Sequence, residues 1–121
     1  MTNDDRTTVA QLRAAVANFV AEREWQQFHS PKNLSMSIAI EAAELMERFQ
    51  WRTDEQIRVI LNDESQRLAI EEEISDVLSY LLAMANVIEM DVSEALADKM
   101  EKNSKKYPAN QFRGRFGPED T

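Results

Sequence analysis

Residues 65–88 read SQRLAIEEEISDVLSYLLAMANVI, an unbroken run with neither glycine nor proline. Within it Ile70, Ile74, Val77, Leu78, Leu81, Ala85 and Ile88 recur at intervals of three and four. That spacing gathers apolar side chains into one broad stripe of an α-helix facing a core. The uncharged part runs only from Val77 to Ile88, whereas a membrane span needs about 20 apolar residues, so the stretch reads as a buried core helix. The same lack of breakers extends outward. No glycine occurs between Met1 and Gln111, the only prolines there are Pro31 and Pro108, and nothing marks the turns of a β-sheet.

Working outward, a first helix is expected from a Thr7 or Thr8 cap to Glu24, with Val9, Leu12, Val16, Phe19 and Val20 on one face. Ser30-Pro31 reads as an N-cap followed by a first-turn proline, whose missing N–H costs nothing there, and opens a second helix to about Gln50. Thr53-Asp54 starts a short helix through Ile57, Ile60 and Leu61 that breaks at Asn62-Asp63. A last long helix follows Asp91, carries Val92, Leu96 and Met100 on one face, and ends before Tyr107-Pro108. The expectation is an all-α protein, a four-helix bundle with an additional short helix. Residues 1–108 form its single domain, and residues 109–121, which hold both glycines and Pro118, a flexible tail.

Composition removes most chemistries. The chain has 121 residues and a net charge of −8, which argues against nucleic acid or an anionic membrane as partner. With no cysteine there are no disulfides, thiol nucleophiles or Cys-ligated metals, and the reading is a cytoplasmic protein. The single histidine, His29, excludes multi-histidine metal sites within one chain. Gly114 and Gly117 are the only glycines, so a Walker loop or a G-x-G-x-x-G turn cannot be built. What remains for metal or acid–base chemistry is carboxylate.

Carboxylates occur in a repeated arrangement. Ile38-x-x-Glu41-x-x-Glu44-Leu45 and Ile70-x-x-Glu73-x-x-Asp76-Val77 place two acids on the same flank of two different apolar stripes, about 60° and 120° from the stripe centre. One such pair on a helix is ordinarily a solvated face. Two in matched phase, on helices packed antiparallel, would bring four carboxylates together, and the repulsion is relieved by a hard divalent ion. Magnesium fits, because it takes oxygen ligands and commonly shares them with substrate phosphates. Glu47, Glu71 and Glu72 point further from the stripes and read as surface.

Downstream, Lys99, Lys102, Lys105, Lys106, Arg113 and Arg115 concentrate six of the 14 basic residues in one segment whose only acid is Glu101. Lysines near a helix C-terminus complement its dipole. Equally, Lys99, Asn103 and Lys106 fall at i, i+4 and i+7, one face able to meet successive phosphates. Phe28 and Phe49 read as core. Trp25 and Trp51 lie in loops, where they either pack or stack on a base. His29 alone reads first as a turn hydrogen-bonder.

Glu41-Ala-Ala-Glu44 followed after 28 residues by Glu73-Ile-Ser-Asp76 resembles the E-x-x-E…E-x-x-D signature of the MazG-like all-α nucleoside triphosphate pyrophosphatases. Further wording is similar to the dCTP pyrophosphatase branch over roughly Val9 to Pro108: Ala21-Glu-Arg-Glu-Trp25-Gln-Gln-Phe-His29, Pro31-Lys-Asn33-Leu34, Phe49-Gln-Trp51, Ile74-Ser-Asp76-Val-Leu-Ser-Tyr80, Lys99-Met-Glu-Lys-Asn103 and Tyr107-Pro108. The resemblance implies magnesium-dependent hydrolysis between the α- and β-phosphates of a nucleotide. It implies Glu41, Glu44, Glu73 and Asp76 as metal ligands and Lys99 and Asn103 as phosphate contacts. It also implies Tyr80 as a site-lining residue, Trp25, His29 and Trp51 as base pocket, and assembly as a homo-oligomer, dimer or tetramer. Cytosine-preferring members carry a histidine in the first helix where this chain has Val16, so the choice among dCTP, a modified dCTP and other nucleotides stays open. The alternatives are the same fold acting on another nucleotide such as phosphoribosyl-ATP, and a non-catalytic helical interaction module.

Overall fold

Every long helix begins at a short polar side chain that takes up a free backbone N–H of the first turn. In the computed structural model, which describes residues 2–116, Thr8 caps α1 (Val9–Glu22). Its hydroxyl accepts the Gln11 N–H at 3.1 Å while the Gln11 side chain accepts the Thr8 N–H at 2.8 Å. Ser30 accepts the Asn33 N–H at 3.1 Å, with Pro31 as first residue of α2 (Pro31–Glu47). Thr53 and Gln56 repeat the reciprocal box at the start of α3 (Asp54–Asn62). Asp63 caps α4 (Glu64–Val87) and Asp91 caps α5 (Val92–Lys106). Each such cap contributes about 1 kcal/mol. The protein is all-α: α1, α2, α4 and α5 are the four long helices and α3 the short one, with no strand among the described residues.

The chain divides into two compact units after Glu89. In the first, α4 is the hub: α2 packs along it most extensively, and α1 and α3 also lie against it. Val20, Leu34, Ile60, Ile70, Leu82, Ala83 and Ala85 are buried, Leu34 most completely, and a Leu- or Ile-sized side chain so buried contributes about 1.5–3 kcal/mol. A polar clasp holds α1 to α4. Arg13 Nε donates to Asn86 Oδ1 at 3.1 Å, and Asn86 Nδ2 donates back to the Arg13 carbonyl at 3.1 Å.

α1 ends in a Schellman arrangement in which the Trp25 N–H reaches the Val20 carbonyl and the Glu24 N–H that of Ala21, both at 3.0 Å. The residue in the left-handed position is Glu24, at φ 52°, where a glycine is the usual choice. An L side chain there costs about 1–2 kcal/mol. The reversal carries Trp25 out of α1 and into the 3-10 turn Gln26–Phe28 that leads to α2.

The second unit holds α5 and α6 (Ala109–Phe112). The segment read as a flexible tail thus starts with a short helix, and the Tyr107 and Phe112 rings meet edge to face at 5.2 Å. Gly117, Pro118 and the rest of the tail lie outside the described residues. No helix of the described chain is long and apolar enough to cross a membrane.

Two sequence expectations need correction. On α4 only Ile70 and Ala85 of the seven-residue stripe are buried and Val77 is partly so. Ile74, Leu78, Leu81 and Ile88 stand about half exposed, while Leu82 and Ala83 go inside. The reason is that α4 is apolar over more than one face, and α1, α2 and α3 cover only part of it. Phe28, read as core, is 59% exposed because the 3-10 turn holds it on the surface.

Candidate metal centre and adjoining cavity

Three contacts show how α2 runs against α4. The His29 ring, just before α2, lies 6.4 Å from that of Tyr80. Glu41 lies beside Asp76 and Glu73, and Arg48, just past the end of α2, meets Glu73. As numbers rise on α2 they fall on α4, so the helices are antiparallel and the two acid pairs face each other.

The meeting is uneven. Glu41, Glu73 and Asp76 each offer a carboxylate oxygen within 4.8 Å of the others. Glu44 is not in that set; it stands exposed one turn along α2 from Glu41. Glu41 and Glu73 are partly buried and Asp76 is exposed, and Glu41 alone has a buried oxygen, Oε2, with no hydrogen-bond partner among the described residues. Burial pushes its carboxyl above the ordinary range, helped by a hydrogen bond shared with Glu44 and then by the charges of Glu44, Asp76 and Glu73. Glu73 has a partner: Arg48 Nη2 donates to its Oε1 at 3.2 Å. Among the described residues this is the one ion pair made by any of the four acids.

A buried carboxylate oxygen with nothing to accept is costly unless a cation arrives to use it. Three convergent oxygens from two Glu and one Asp, with no nitrogen or sulfur donor among them, are the hard ligand set of magnesium, manganese or calcium. The residues therefore fit a divalent ion, which Glu41, Glu73 and Asp76 could hold, with Glu44 one helical turn from Glu41.

Beside this cluster opens a cavity of about 500 Å³ lined by Ala15, Val16, Phe19, Val20, Trp25, His29, Glu41, Asp76, Ser79 and Tyr80. Two of the acids thus form part of its wall, while α1 supplies an apolar side. Trp25 is fixed there by an edge-to-face contact with Phe19 at 5.6 Å, and Phe19 in turn carries the Arg23 guanidinium at 3.7 Å from its ring centre. An aromatic-walled cleft of this size beside a cation site suits a planar base joined to a charged group.

Of the residues singled out in the sequence, the structure brings together Glu41, Glu73, Asp76, Trp25, His29 and Tyr80. Trp51 is not among the cavity residues and is 85% exposed in the turn after α2. Lys99, Asn103 and Lys106 all lie on α5, in the second unit; Lys99 and Lys106 are exposed and Asn103 is partly buried. Sequence reasoning missed Phe19 and Ser79 as cavity wall and Arg48 as partner of Glu73. For Arg48 a signal existed: it follows Glu44 by four residues and Glu41 by seven, the same face of α2.

The sequence model of the MazG-like family matches residues 36–115. Among curated proteins, dCTP pyrophosphatase 1 of Bos taurus is 40% identical over 107 residues, 88% of this chain and 63% of that protein. The human protein of the same name is 42% identical over 106 residues, 88% of this chain and 62% of that one. The chain thus spans less than two thirds of the length of these relatives. Among solved structures, the crystal structure of a pyrophosphatase from Archaeoglobus fulgidus DSM 4304 superposes with a TM-score of 0.76 at 41% identity. That match covers 89% of this chain and 99% of the archaeal one.

Proposed function

The chain belongs to the MazG-like family, and from that premise we propose that it is a magnesium-dependent nucleoside triphosphate pyrophosphatase. It hydrolyses a deoxynucleoside triphosphate, dCTP or a modified dCTP, to the monophosphate and pyrophosphate, and so clears the cytoplasmic nucleotide pool. The observation that carries this reading is the convergence of oxygens of Glu41, Glu73 and Asp76 at the edge of an aromatic cavity, together with a buried, unpartnered oxygen on Glu41. The names of the relatives support the reaction and the base.

In this reading Glu41, Glu73 and Asp76 hold the ion, with Glu44 completing the carboxylate set. A magnesium ion held there would supply charge neutralisation for the polyphosphate and for the hydroxide-like charge that develops on the attacking water. The cavity orients the nucleotide: Trp25 and Tyr80 offer ring faces to the base and His29 a hydrogen-bonding edge. Trp51 is assigned to the same nucleotide, acting where a second copy completes the pocket. Lys99, Asn103 and Lys106 bind the phosphates, for which their charge and their common face on α5 are suited. A water oxygen adds to the α-phosphorus as the α–β anhydride bond breaks, the bridging oxygen departs with the pyrophosphate, and a carboxylate of the set accepts the water's proton. Residues 1–108 are the catalytic domain. The uncovered apolar residues of α4 support a homo-oligomer, dimer or tetramer, since a face of this kind is ordinarily closed by a partner.

The test is pyrophosphate release from the deoxy- and ribonucleoside triphosphates and 5-methyl-dCTP, with magnesium and with chelator. Release that needs magnesium and favours cytosine nucleotides is expected. Release with other bases favoured would keep the reaction and discard the base. No release from any triphosphate would turn the reading to phosphoribosyl-ATP, and failure there to a binding module.

A further inference from the structure

Arg48 stands outside any role the reaction requires, yet among the described residues it makes the one ion pair to a carboxylate of the cluster. It is the C-cap of α2, where the helix stops and its side chain turns toward α4. Its guanidinium is half exposed and reaches a Glu73 whose side chain is only 16% exposed. We propose that Arg48 is the resident counter-ion of the carboxylate cluster, occupying Glu73 in the nucleotide-free chain and competing there with the first divalent cation.

The competition is electrostatic and rests on the metal reading above. Four carboxylates on two facing helices repel one another, and Arg48 cancels one of their charges without leaving the chain. A guanidinium stays protonated at any pH the protein meets, so this compensation is always present. Its contact is to one oxygen of Glu73, which leaves the other for a ligand. A divalent ion drawn to the cluster therefore meets a fixed positive charge within a few ångströms. Glu41 and Asp76 carry no such partner among the described residues, so the compensation is centred on Glu73. The consequence is a site that binds a free divalent ion weakly. It fills when the ion arrives with a polyphosphate, whose negative charge offsets Arg48. A second possible role, in which Arg48 merely orients Glu73, predicts the opposite sign: its loss would then weaken metal binding.

The experiment is calorimetric titration of Mn²⁺ alone into the full chain, without nucleotide, for wild type, Arg48→Met, Arg48→Gln and Arg48→Lys. Removing the charge is expected to tighten Mn²⁺ binding roughly tenfold, the scale of a unit charge acting on a divalent ion at short range in water-like surroundings. Arg48→Lys, which keeps the charge, is expected to stay near wild type. A half-exposed ion pair contributes little to stability, so both neutral variants should melt close to wild type, and either one suffices for the comparison. Unchanged or weaker Mn²⁺ binding in the neutral variants overturns the inference, as does absence of Mn²⁺ binding in every protein, which would remove the metal reading with it. Pyrophosphate release, measured in parallel, separates the two proposals. Tighter binding without turnover keeps the competitor and discards the reaction, and unchanged binding with turnover does the reverse.

Discussion

Glu41 on α2 and Glu73 on α4 open two acid pairs of the same spacing on the same flank of their helices, yet the fold treats them differently. Glu41 is sunk beside the cavity with a buried oxygen that nothing satisfies. Glu73, equally placed in its motif, is tied to Arg48 at 3.2 Å. The second members differ too, since Asp76 joins the convergent oxygens and lines the cavity while Glu44 stays outside that set. A repeated motif therefore gives repeated direction, not repeated environment: the environment is set by what the neighbouring element happens to present.

The sharpest way to break the comparison is through turnover. Glu41→Gln and Asp76→Asn keep size and remove the ligand charge, and each should lower kcat/KM by on the order of 10³-fold with the helical circular dichroism unchanged. Glu44→Gln should lose less, in keeping with its place outside the cluster. Equal losses for all three would mean that the bound state draws Glu44 fully in. Next in size comes the base. Trp25→Ala should raise KM for the nucleotide about tenfold, the value of one lost stacking partner, with a smaller change for Trp51→Ala. Any effect at Trp51, which lies outside the cavity of its own chain, is the mark of a pocket completed from a second copy.

The smallest effect is on stability, and it separates Glu41 from Glu73 directly. Glu41 holds its proton above the ordinary value of 4.5, so the folded state binds that proton more tightly than the unfolded one. The stability this gives is fully present below 4.5 and is lost as pH rises through the raised folded value. In the presence of chelator, Glu41→Gln should melt with wild type in acid and above it at neutral pH. Glu73→Gln, which gives up the Arg48 pair, should show less gain. Thermal melts across that range check both, and added magnesium should close the gap by stabilising wild type.

Local signals were legible and long-range ones were not. Thr8, Ser30-Pro31, Thr53 and Asp91 announce their helices because a cap involves only residues within three positions. The acid pairs were legible for the same reason: their spacing fixes direction on a helix before any packing is known. The buried side of α4 was not legible. Its apolar residues extend over more than one face, and which of them go inside depends on where α1, α2 and α3 land. Trp25 and Trp51 look alike as loop aromatics, but a left-handed Glu24 turns one toward the cavity while the other follows α2 into solvent. Glutamate is not a residue that announces a left-handed turn, so the sequence beside Trp25 gives no sign of it.

That contrast between the two tryptophans also gives the protein a built-in optical gauge. With no third indole in the chain, emission divides between Trp51, bathed in water, and Trp25, which touches Phe19 at the cavity wall. Substituting Trp51 leaves a single indole whose colour and quenching report occupancy of the cleft, so ligand entry can be timed without a label and without waiting for product.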